Sequence, residues 1–558
     1  MSELLKRYLP RIEFDSYEDF LNNYSVNVPS DFNFGFDIVD EWARIQPDKK
    51  ALVWCNDDLK LSTYTFKDAK ELSNKAVNVF KSLGIKKGDV VMLILKQHPE
   101  VWWCITALCK LGAVCIPGTY QLKPKDIVYR CNAANVKMIV STDDDFLLNS
   151  IKDSLPKCQS VENVAVVGDN KVEGFHNFRD LMKDASSVYE RPVGTDADTK
   201  VTDNMLIYFS SGTSGMPKMV LHNHSLPLGH IVTAKYWQQV QNDKIHLTQS
   251  DSGWAKFAWG KIYGQWISGA AVGAYDTDKF VPDLMLKAIS LIKPTTFCAP
   301  ATIYRYLIKE DLSGVDFSFV KHSCVAGEPL NPEVYHQIKS KLGMELHEGF
   351  GQSETSVLLA NYGWFDVKPG SMGKPSPLYG IELRDENNKL CEDGEVGAIC
   401  ITGTDKKHPT GLFLGYYQDE EITNKCWHDG VYNTGDMAWR DEDGYYWFVG
   451  RNDDVIKCSG YRIGPFEVES ALLEHPAVLE CAITAAEDPM RGQVVKATIV
   501  LAKGFTASDE LTKELQNHVK KVTAPYKYPR IVEYVEELPK TISGKIRRNK
   551  IRQTDSEK

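Results

Sequence analysis

Residues 208–218 read Tyr-Phe-Ser-Ser-Gly-Thr-Ser-Gly-Met-Pro-Lys, and this stretch is the strongest indication of fold and function in the chain. An apolar run from Met205 to Phe209 leads into a loop of small residues, which Lys218 closes. Glycines in such a loop permit tight turns that expose backbone N–H groups, and hydroxyls and a lysine add donors for phosphate oxygens. The pattern differs from a Walker A loop, in which Gly-Lys-Ser/Thr opens a helix. The stretch therefore predicts a phosphate-binding loop of another kind, whereas a plain surface turn is the alternative.

The composition is that of a globular protein. Its 558 residues exceed one domain core, so at least two domains are expected. Hydrophobic residues make up 43% and charged residues 25% of the chain, without a low-complexity tract. The formal net charge of −10 argues against nucleic acid as the main partner.

Cysteine usage and the N-terminus bear on the cellular location. The thirteen cysteines are scattered without a CxxC pair, which is typical of a reducing compartment. Residues 1–14 contain no continuous apolar run, so a signal peptide is not expected. No stretch approaches the roughly 20 apolar residues that a membrane-spanning helix needs. We predict a soluble protein of the cytoplasm.

Strands and helices alternate through much of the chain. A strand over Val90–Leu95, a helix over Pro99–Leu111 and a strand over Ala113–Ile116 predict a βαβ unit and hence a parallel sheet. Around residues 380–402 short apolar segments and Asp/Gly turns predict a small β subdomain. The predicted fold class is α/β, with a large N-terminal domain of layered α/β subdomains and this β subdomain.

The pattern changes at Arg451-Asn452-Asp453-Asp454. Beyond this point we predict helices near 465–473 and 508–522 and strands at 478–486 and 494–501, which suffice for a small α+β domain. We place the N-terminal domain at residues 1–450, a connection at 451–455 and the C-terminal domain at 456–558.

Three further motifs carry polar residues after tight turns. Residues 347–355 read His-Glu-Gly-Phe-Gly-Gln-Ser-Glu-Thr, where a carboxylate beside hydroxyls suits Mg²⁺ bound jointly with phosphate; a capping glutamate is the alternative. Residues 432–436 read Tyr-Asn-Thr-Gly-Asp, and this aspartate is suited to accept both hydroxyls of a ribose, although hairpin turns also use such residues. Residues 539–545 read Pro-Lys-Thr-Ile-Ser-Gly-Lys, where a lysine on a turn is ordinarily exposed and idle.

Together and in this order, the four motifs resemble the adenylate-forming superfamily of acyl-CoA synthetases, firefly-type luciferases and nonribosomal-peptide adenylation domains. The resemblance covers nearly the whole chain. Residues 459–465 (Ser-Gly-Tyr-Arg-Ile-Gly-Pro), 488–492 (Asp-Pro-Met-Arg-Gly) and 523–529 (Thr-Ala-Pro-Tyr-Lys-Tyr-Pro) are similar to medium-chain acyl-CoA synthetases.

The resemblance implies a two-step ligase. Such enzymes join a carboxylate to the α-phosphate of ATP, release pyrophosphate, and then transfer the acyl group from AMP to the thiol of coenzyme A. The first step brings two anions together and therefore needs positive charge and N–H donors at the phosphate. The implied catalytic residues are Lys545, which bridges carboxylate and α-phosphate, and Glu354 with Thr213, which hold Mg²⁺.

The remaining ATP contacts follow from the same resemblance. Asp436 holds the ribose with Arg451 nearby, and turns at 327–329 and 348–350 frame adenine. The implied ATP-binding set is Ser210, Ser211, Gly212, Thr213, Ser214, Gly215, Met216, Pro217, Lys218, Gly327, Glu328, Pro329, Glu348, Gly349, Phe350, Gly351, Gln352, Ser353, Asp436, Arg451 and Lys545.

Thioester formation is implied to use a second conformation. Asp453 matches the family's hinge, about which the small C-terminal domain rotates between the two steps. The implied coenzyme A contacts are Ser459, Gly460, Tyr461, Arg462, Arg491, Lys520, Tyr528 and Arg530. For Lys520 a solvated surface position is an equal alternative.

The implied acyl pocket contains large residues that are particular to this chain. Residues 252–260 match the family segment that lines the fatty-acid tunnel, with Trp254 at its mouth. Gly351 stands where acetate-specific relatives place a tryptophan, so that plug is missing. If Lys256 and Trp259 point inward, they shorten the pocket to suit a small or branched acid; alternatively Trp259 belongs to the core and Lys256 faces solvent.

We therefore predict ATP-dependent ligation of a small-to-medium, straight or branched carboxylic acid to coenzyme A. The alternatives are an acyl- or amino-acid-adenylating enzyme with another acceptor, an acetyl- or propionyl-CoA synthetase, a luciferase-like oxygenase and a nucleotide-binding regulator without catalysis. The expected partners are the acid, ATP and coenzyme A, with Mg²⁺ as cofactor, and the sequence leaves open whether the chain forms a homodimer.

Overall fold

The computed structural model describes residues 3–210, 216–458, 461–488, 490–540 and 545–556. Within them, the chain forms a large N-terminal part on two extended sheets and a small C-terminal part with its own sheet. Helices pack on the sheets of both parts. The predicted fold class is therefore confirmed.

The first sheet, here the N-terminal sheet, is mostly parallel. Val90–Ile94 pairs in parallel with both Val114–Pro117 and Val136–Thr142. The helix Glu100–Leu111 connects the first two of these strands and ends at Gly112, whose φ of 72° is the left-handed conformation common after a helix. This is the predicted βαβ unit. Across the sheet the strands are His176–Asn177, Asn163–Val167, Val136–Thr142, Val90–Ile94, Val114–Pro117, Asn204–Ser210 and Lys218–Asn223.

The second sheet, here the central sheet, is parallel at one end and antiparallel at the other. Its antiparallel end contains Gly380–Arg384 and Gly397–Thr402 and corresponds to the predicted β subdomain. Across the sheet the strands are Gly380–Arg384, Gly397–Thr402, Val431–Arg440, Tyr446–Arg451, Ser371–Pro375, Leu359–Ala360, Leu346–Phe350, His322–Val325, Thr296–Ala299, Ile245–Thr248, Ala271–Asp276, Lys50–Asn56 and Leu61–Thr65, and Trp427–His428 pairs beside Val431–Arg440.

Helices of the N-terminal part bury apolar faces against these sheets. Pro282–Ile292 illustrates the pattern, because Met285, Leu286, Ile289 and Ile292 are buried at helical spacing. None of the helices within the described residues is long and apolar enough to cross a membrane. The helices are Leu5–Tyr8, Tyr17–Asn23, Gly35–Asp40, Glu41–Ile45, Phe66–Ser82, Glu100–Leu111, Pro124–Ala134, Asp145–Ser154, Leu155–Lys157, Phe178–Asp184, Leu226–Ile231, Val232–Trp237, Lys256–Gly260, Tyr263–Ile267, Pro282–Ile292, Ala301–Leu307, Pro332–Leu342 and Glu420–Cys426.

The C-terminal part has its own hydrophobic core. Its sheet contains Tyr461–Ile463, Ile456–Cys458, Gly492–Leu501 and Val478–Asp488 in this order, with Ile531–Tyr534 parallel to Gly492–Leu501. The helix Asp509–Val522 buries Leu511, Leu515 and Val519, which are spaced four residues apart and form one face. The other helices are Pro465–Leu473, Pro525–Lys527 and Arg548–Ser556.

The two parts are in contact. The rings of Phe448 and Phe466 lie 6.3 Å apart. Asn331 donates a hydrogen bond of 3.1 Å to the Ser470 carbonyl. These contacts bring the C-terminal part against the end of the central sheet at which strand Leu346–Phe350 finishes, and ligand sites in α/β proteins commonly lie at such strand ends.

Candidate active site

A strand hairpin carries the predicted phosphate loop. Ser210 and Lys218 are Cα partners in the antiparallel pair of Asn204–Ser210 and Lys218–Asn223. After the loop, Met216 is exposed and the Pro217 carbonyl accepts a hydrogen bond of 3.0 Å from the Tyr129 hydroxyl. The loop residues Ser211, Gly212, Thr213, Ser214 and Gly215 lie outside the described residues. The stem thus holds both ends of the loop side by side.

Glu354 lies buried close to this stem. The Tyr416 hydroxyl donates a hydrogen bond of 2.9 Å to Glu354 Oε1, and Lys218 Nζ lies 4.8 Å from the centre of the Tyr416 ring. Burial raises the pKa of the Glu354 carboxyl, whereas Tyr416, Arg451 and Lys218 act in the opposite direction. Glu354 therefore belongs to one polar cluster with the lysine of the phosphate loop.

Asp436, Gln352 and Arg451 form a second polar cluster. Gln352 Nε2 donates to Asp436 Oδ2, and Arg451 Nη1 donates to Asp436 Oδ1 at 3.2 Å. Burial raises the pKa of Asp436, while Arg451, Gln352 and Lys545 oppose that rise. Gly435, with φ of 74°, makes the turn that aims the aspartate, since this conformation is strained for other residues. The cluster joins the second and third sequence motifs.

Three side chains to which the sequence analysis assigned no site role contribute to these clusters. The Tyr432 hydroxyl donates to Gln352 Oε1 at 3.0 Å, and Tyr416 contacts Glu354 as described. His222 Nε2 bonds the Ser353 carbonyl at 2.8 Å; burial lowers the pKa of His222 to about 4, so the neutral ring donates this bond. Tyr432 belongs to the quoted motif at 432–436, but the local pattern did not indicate the contacts of these residues, because each contacts a distant part of the chain.

The turns predicted to frame adenine lie on adjacent strands of the central sheet. Gly327 has a φ of 101°, and the next residue, Glu328, accepts a hydrogen bond from the Thr302 backbone N–H. Glu348 is buried, accepts a bond from the Leu330 backbone N–H at 3.3 Å, and has a pKa that burial raises well above its usual value. The strand His322–Val325 precedes the turn at 327–329, and the strand Leu346–Phe350 contains residues 348–350. These two strands are parallel partners.

Aromatic rings pack around the glycines of the second motif. A Cβ atom on Gly349 would collide with the buried Trp237 indole. The ring of Phe350, next in sequence, lies 6.2 Å from that of Phe448. Gly349 therefore allows Trp237 to approach the backbone of this strand closely.

Lys545 belongs to the C-terminal part, but its charge acts on residues of the site in the N-terminal part. Its charge acts on the pKa of Asp436 and on that of Lys256. These two residues lie in different segments of the N-terminal part, so the charge of Lys545 acts on more than one segment of the site.

Lys256 points toward the Gly327 turn. Its Nζ donates a hydrogen bond of 2.6 Å to the Ala326 carbonyl. Burial lowers the pKa of Lys256, and the charge of Lys545 lowers it further. Lys256 is partly buried. The alternative in which this lysine simply faces solvent does not describe its position.

Trp259 fills the space next to Gly351. The indole is 6% exposed, and its Cζ2 atom lies 2.7 Å from the position of a Cβ atom on Gly351. Trp237 contacts it edge-on with ring centres 6.1 Å apart. Trp254, in contrast, is only partly buried. It lies in a turn in which its backbone N–H donates a hydrogen bond of 3.3 Å to the Asp251 carbonyl. The space that glycine leaves at position 351 is therefore occupied by an indole from another segment.

The predicted coenzyme A contacts fall into two groups. Lys520, Tyr528 and Arg530 lie together: Lys520 Nζ is 4.1 Å from the Tyr528 ring centre, and Arg530 donates to the Tyr528 hydroxyl at 2.9 Å. Arg462 forms an ion pair of 2.8 Å with Glu386.

The second group is formed by Arg462 and Tyr461, on the edge strand Tyr461–Ile463 of the C-terminal sheet, and by Arg491. Tyr461 stacks on Tyr526 with ring centres 4.1 Å apart, and Arg491 is exposed next to Gly492, the Cα partner of Cys458. Ser459 and Gly460 lie outside the described residues.

The donor set suits a hard cation that also binds substrate. Among the described residues, no group of three or more His, Cys, Asp or Glu side chains is arranged to hold a metal. Glu354 offers a buried carboxylate of which one oxygen accepts the Tyr416 hydroxyl. One carboxylate together with phosphate oxygens and water is the ligand set that Mg²⁺ commonly takes in nucleotide enzymes.

Comparison with protein families gives the class. The AMP-binding enzyme family matches residues 39–417, and the AMP-binding enzyme C-terminal domain matches residues 467–545. The chain therefore belongs to the AMP-binding enzymes.

Individual relatives refine this assignment. The chain is 41% identical over 551 residues to acyl-coenzyme A synthetase ACSM3, mitochondrial, of Rattus norvegicus, covering 97% of this chain and 94% of the relative. It is 41% identical over 535 residues to acyl-coenzyme A synthetase ACSM5, mitochondrial, of Homo sapiens, covering 94% and 91%. Within the AMP-binding enzymes, the chain is thus a member of the acyl-coenzyme A synthetases, and the predicted family and ligase class are confirmed.

Solved structures agree with the fold. The anthranilate CoA ligase AuaEII in complex with anthranoyl-AMP has a TM-score of 0.86 and 28% identity, covering 95% of this chain and 98% of that one. The acyl-CoA synthetase of Brucella canis has a TM-score of 0.72 and 30% identity, covering 98% and 99%.

Proposed function

We propose that this enzyme ligates a small-to-medium carboxylic acid, straight or branched, to coenzyme A in two steps with an acyl-AMP intermediate. ATP is consumed, and AMP and pyrophosphate are released. The observation that carries the proposal is that Arg451 acts on both Glu354, beside the stem of the phosphate loop, and Asp436, while the charge of Lys545 from the C-terminal part also acts on Asp436.

Each residue has a proposed role in adenylation. Asp436, oriented by Gln352 and Arg451, accepts the ribose hydroxyls, and the residues of 210–218 bind the phosphates. Lys545 places its positive charge between the carboxylate and the α-phosphate and so reduces their repulsion. The proximity of Lys545 to Asp436 supports the view that this conformation serves the first step.

We assign Mg²⁺ to Glu354 and Thr213. When bound, the ion neutralises charge on the phosphate oxygens. The protein's contribution is to keep the Glu354 carboxylate in place: Tyr416 donates to it, and the opposing charges of Lys218 and Arg451 favour its ionised form against the effect of burial.

The second step is proposed to require rotation of residues 456–558 about the 451–455 connection at Asp453. Lys520, Tyr528, Arg530, Arg462, Arg491 and Tyr461, with Ser459 and Gly460, are the proposed coenzyme A contacts. Support comes from the clustering of Lys520 and Arg530 around Tyr528, which places two positive charges within reach of one phosphate group.

The acyl chain is proposed to lie between Trp254, Lys256, Trp259 and Gly351. The contact of the Trp259 indole with Gly351 limits the depth of this space, and Lys256 places an amine at its polar side. A short or branched chain fits such a wall better than a long straight one, because overfilling a packed site typically costs about 1–3 kcal/mol.

We further propose a reducing location, the cytoplasm. All thirteen cysteines are free thiols in the structure, and twelve of them are buried, as this proposal expects. Fractionation of the source cells with detection of this chain would test it, and recovery in an organelle or membrane fraction would contradict it.

The function is tested by a pyrophosphate-release screen over straight and branched acids of about two to ten carbons, with and without coenzyme A. We expect acyl-CoA formation with short acids and sustained turnover only when coenzyme A is present. Equal steady-state turnover without coenzyme A would favour an adenylating enzyme with another acceptor. Absence of pyrophosphate release with every acid would contradict the proposal.

A further inference from the structure

A fully buried lysine lies directly behind the proposed acyl segment. Lys261 has an exposed fraction of 0% and follows the helix Lys256–Gly260, which carries both Lys256 and Trp259. Its N–H donates to the Phe257 carbonyl at 2.8 Å, so it caps this helix. An uncompensated buried charge is costly, and a lysine is therefore rarely placed so deeply without a specific set of partners.

The partners of Lys261 come from both large sheets. Its Nζ donates to the side-chain oxygen of Gln97, which follows the strand Val90–Ile94 of the N-terminal sheet. The carboxylates of Asp276 and Asp251 oppose the effect of burial on the pKa of Lys261, which burial lowers to about 7. Asp276 ends the strand Ala271–Asp276 and Asp251 follows the strand Ile245–Thr248, both in the central sheet.

Other charged groups surround this cluster. His98 Nδ1 lies 3.1 Å from Asp276 Oδ2, and the charge of Lys96 acts on the pKa of Asp251. Burial and the charge of Lys261 both lower the pKa of His246, whose ring nitrogens bond the hydroxyls of Thr296 and Thr248. The cluster thus lies at the carboxyl ends of parallel strands from two sheets, and two of its members, Asp251 and Lys261, flank the segment that carries the proposed pocket residues.

The same residues determine the path of the acyl segment. Asp251 Oδ1 accepts the Gly253 N–H at 2.7 Å and thereby shapes the turn at the start of the segment. At its end, the Lys261 carbonyl accepts a hydrogen bond of 2.6 Å from the Trp102 indole. Both ends of residues 251–261 are therefore anchored, and the charges of Lys261 and Asp251 attract each other across the segment.

We infer that Lys261 is a positioning residue for the bound acid: held by its hydrogen bond to Gln97 and by its place as the cap of the helix Lys256–Gly260, it fixes the segment that places Lys256 and Trp259 around the acyl chain. The inference rests on the proposed function. Lys261 need not contact the substrate. Loss of its side chain would leave the Gln97 oxygen without this donor and would remove the charge that acts between Lys261 and the carboxylates of Asp251 and Asp276, and the segment would shift in response.

The decisive experiment compares Lys261→Met with Lys110→Met. Lys110 is also fully buried and donates to Asp40, Ser73 and Asn74, at the other end of helix Glu100–Leu111 from Trp102. Its replacement therefore reproduces the cost of removing a buried lysine without affecting residues 251–261. KM for the acid, KM for ATP and kcat would be measured by pyrophosphate release for both variants.

We expect Lys261→Met to raise KM for the acid about tenfold or more and to change KM for ATP by less than about twofold, whereas Lys110→Met leaves the ratio of the two KM values as in the wild type. A Lys261→Met enzyme with an unchanged acid KM, or with both KM values altered in proportion, would overturn the inference. If the wild type releases no pyrophosphate with any acid, the proposed function itself fails.

A milder variant covers the case in which Lys261→Met does not fold. Asp251→Asn keeps an oxygen for the Gly253 N–H but removes the charge that attracts Lys261. We expect a several-fold rise in KM for the acid, again without a matching change for ATP. Wild-type acid kinetics in Asp251→Asn would contradict the role of this charge in positioning the segment.

Discussion

The Trp259 indole lies directly against Gly351, with Cζ2 2.7 Å from the place where a Cβ atom on residue 351 would be. The two residues come from different segments, and the Ser356 carbonyl closes the same space, also 2.7 Å from that position. Gly351 thus does not create an open tunnel, because it provides the room into which Trp259 fits. In the proposed acyl pocket, the chain would end at this indole unless the indole moves.

Trp259→Gly should extend the range of accepted acids. Removal of the indole opens space next to Gly351, and each additional buried methylene should then contribute about 0.8 kcal/mol, or about fourfold in kcat/KM. The measurement is kcat/KM for a series of straight acids. Trp259→Phe, which retains a ring over Gly351, is the control and should keep the wild-type preference. An unchanged chain-length profile in Trp259→Gly would show that the acyl chain lies elsewhere.

Lys545→Ala should abolish adenylation while leaving thioester formation from supplied acyl-AMP largely intact. The lysine lies near Asp436 in the observed conformation, and a charge-stabilising group of this kind typically contributes about 10²–10³ in rate. Both half-reactions would be measured separately.

Lys540→Ala is the matched control for this prediction. Lys540 lies in the same motif but forms an ion pair of 2.8 Å with Glu480 within the C-terminal part. It should retain both half-reactions. An equal loss of the two half-reactions in Lys545→Ala would contradict the use of two conformations.

The sequence was most informative where structure depends on local pattern. The helix Pro465–Leu473 has the predicted bounds, because a proline at its start and the apolar spacing within it mark it locally. The motif around Glu354 could likewise be recognised from its glycines and carboxylates.

Contacts between distant segments could not be read in the same way. Tyr416 and Tyr432 reach Glu354 and Gln352 across 62 and 80 residues, and His222 reaches Ser353 across 131. The burial of Lys261 also could not be predicted from the sequence, since lysine is ordinarily exposed. These contacts depend on how the two large sheets pack against each other, and a local stretch of sequence does not specify that packing.

Asp453→Pro should allow adenylate formation but sharply reduce thioester output. Proline fixes φ and removes the rotational freedom that the proposed hinge needs. The next residue, Asp454, is anchored by Arg552 at 2.7 Å, so rotation cannot easily be transferred to that side. Single-turnover measurement of each step gives the result, and Asp453→Ala, which keeps the freedom of φ, should behave like the wild type. Normal turnover by Asp453→Pro would place the hinge at another residue.

Lys261 should make the folded protein more stable as pH rises. A surface lysine that is paired with a carboxylate has the opposite effect. Burial lowers the pKa of Lys261 from 10.5 to about 7, so between these values the unfolded chain binds a proton that the folded chain does not. The contribution to the free energy of unfolding therefore rises with pH, by at most about 1.4 kcal/mol per pH unit.

Denaturant unfolding of the wild type and Lys261→Met at about pH 7 and about pH 9 measures this contribution. We expect the wild type to gain about 1–2 kcal/mol more than the variant over this interval. Lys110, whose pKa burial lowers to about 8, is present in both proteins and cancels from the comparison. An identical pH response of the two proteins would mean that Lys261 keeps its ordinary pKa, and hence that its carboxylate partners offset the full effect of burial.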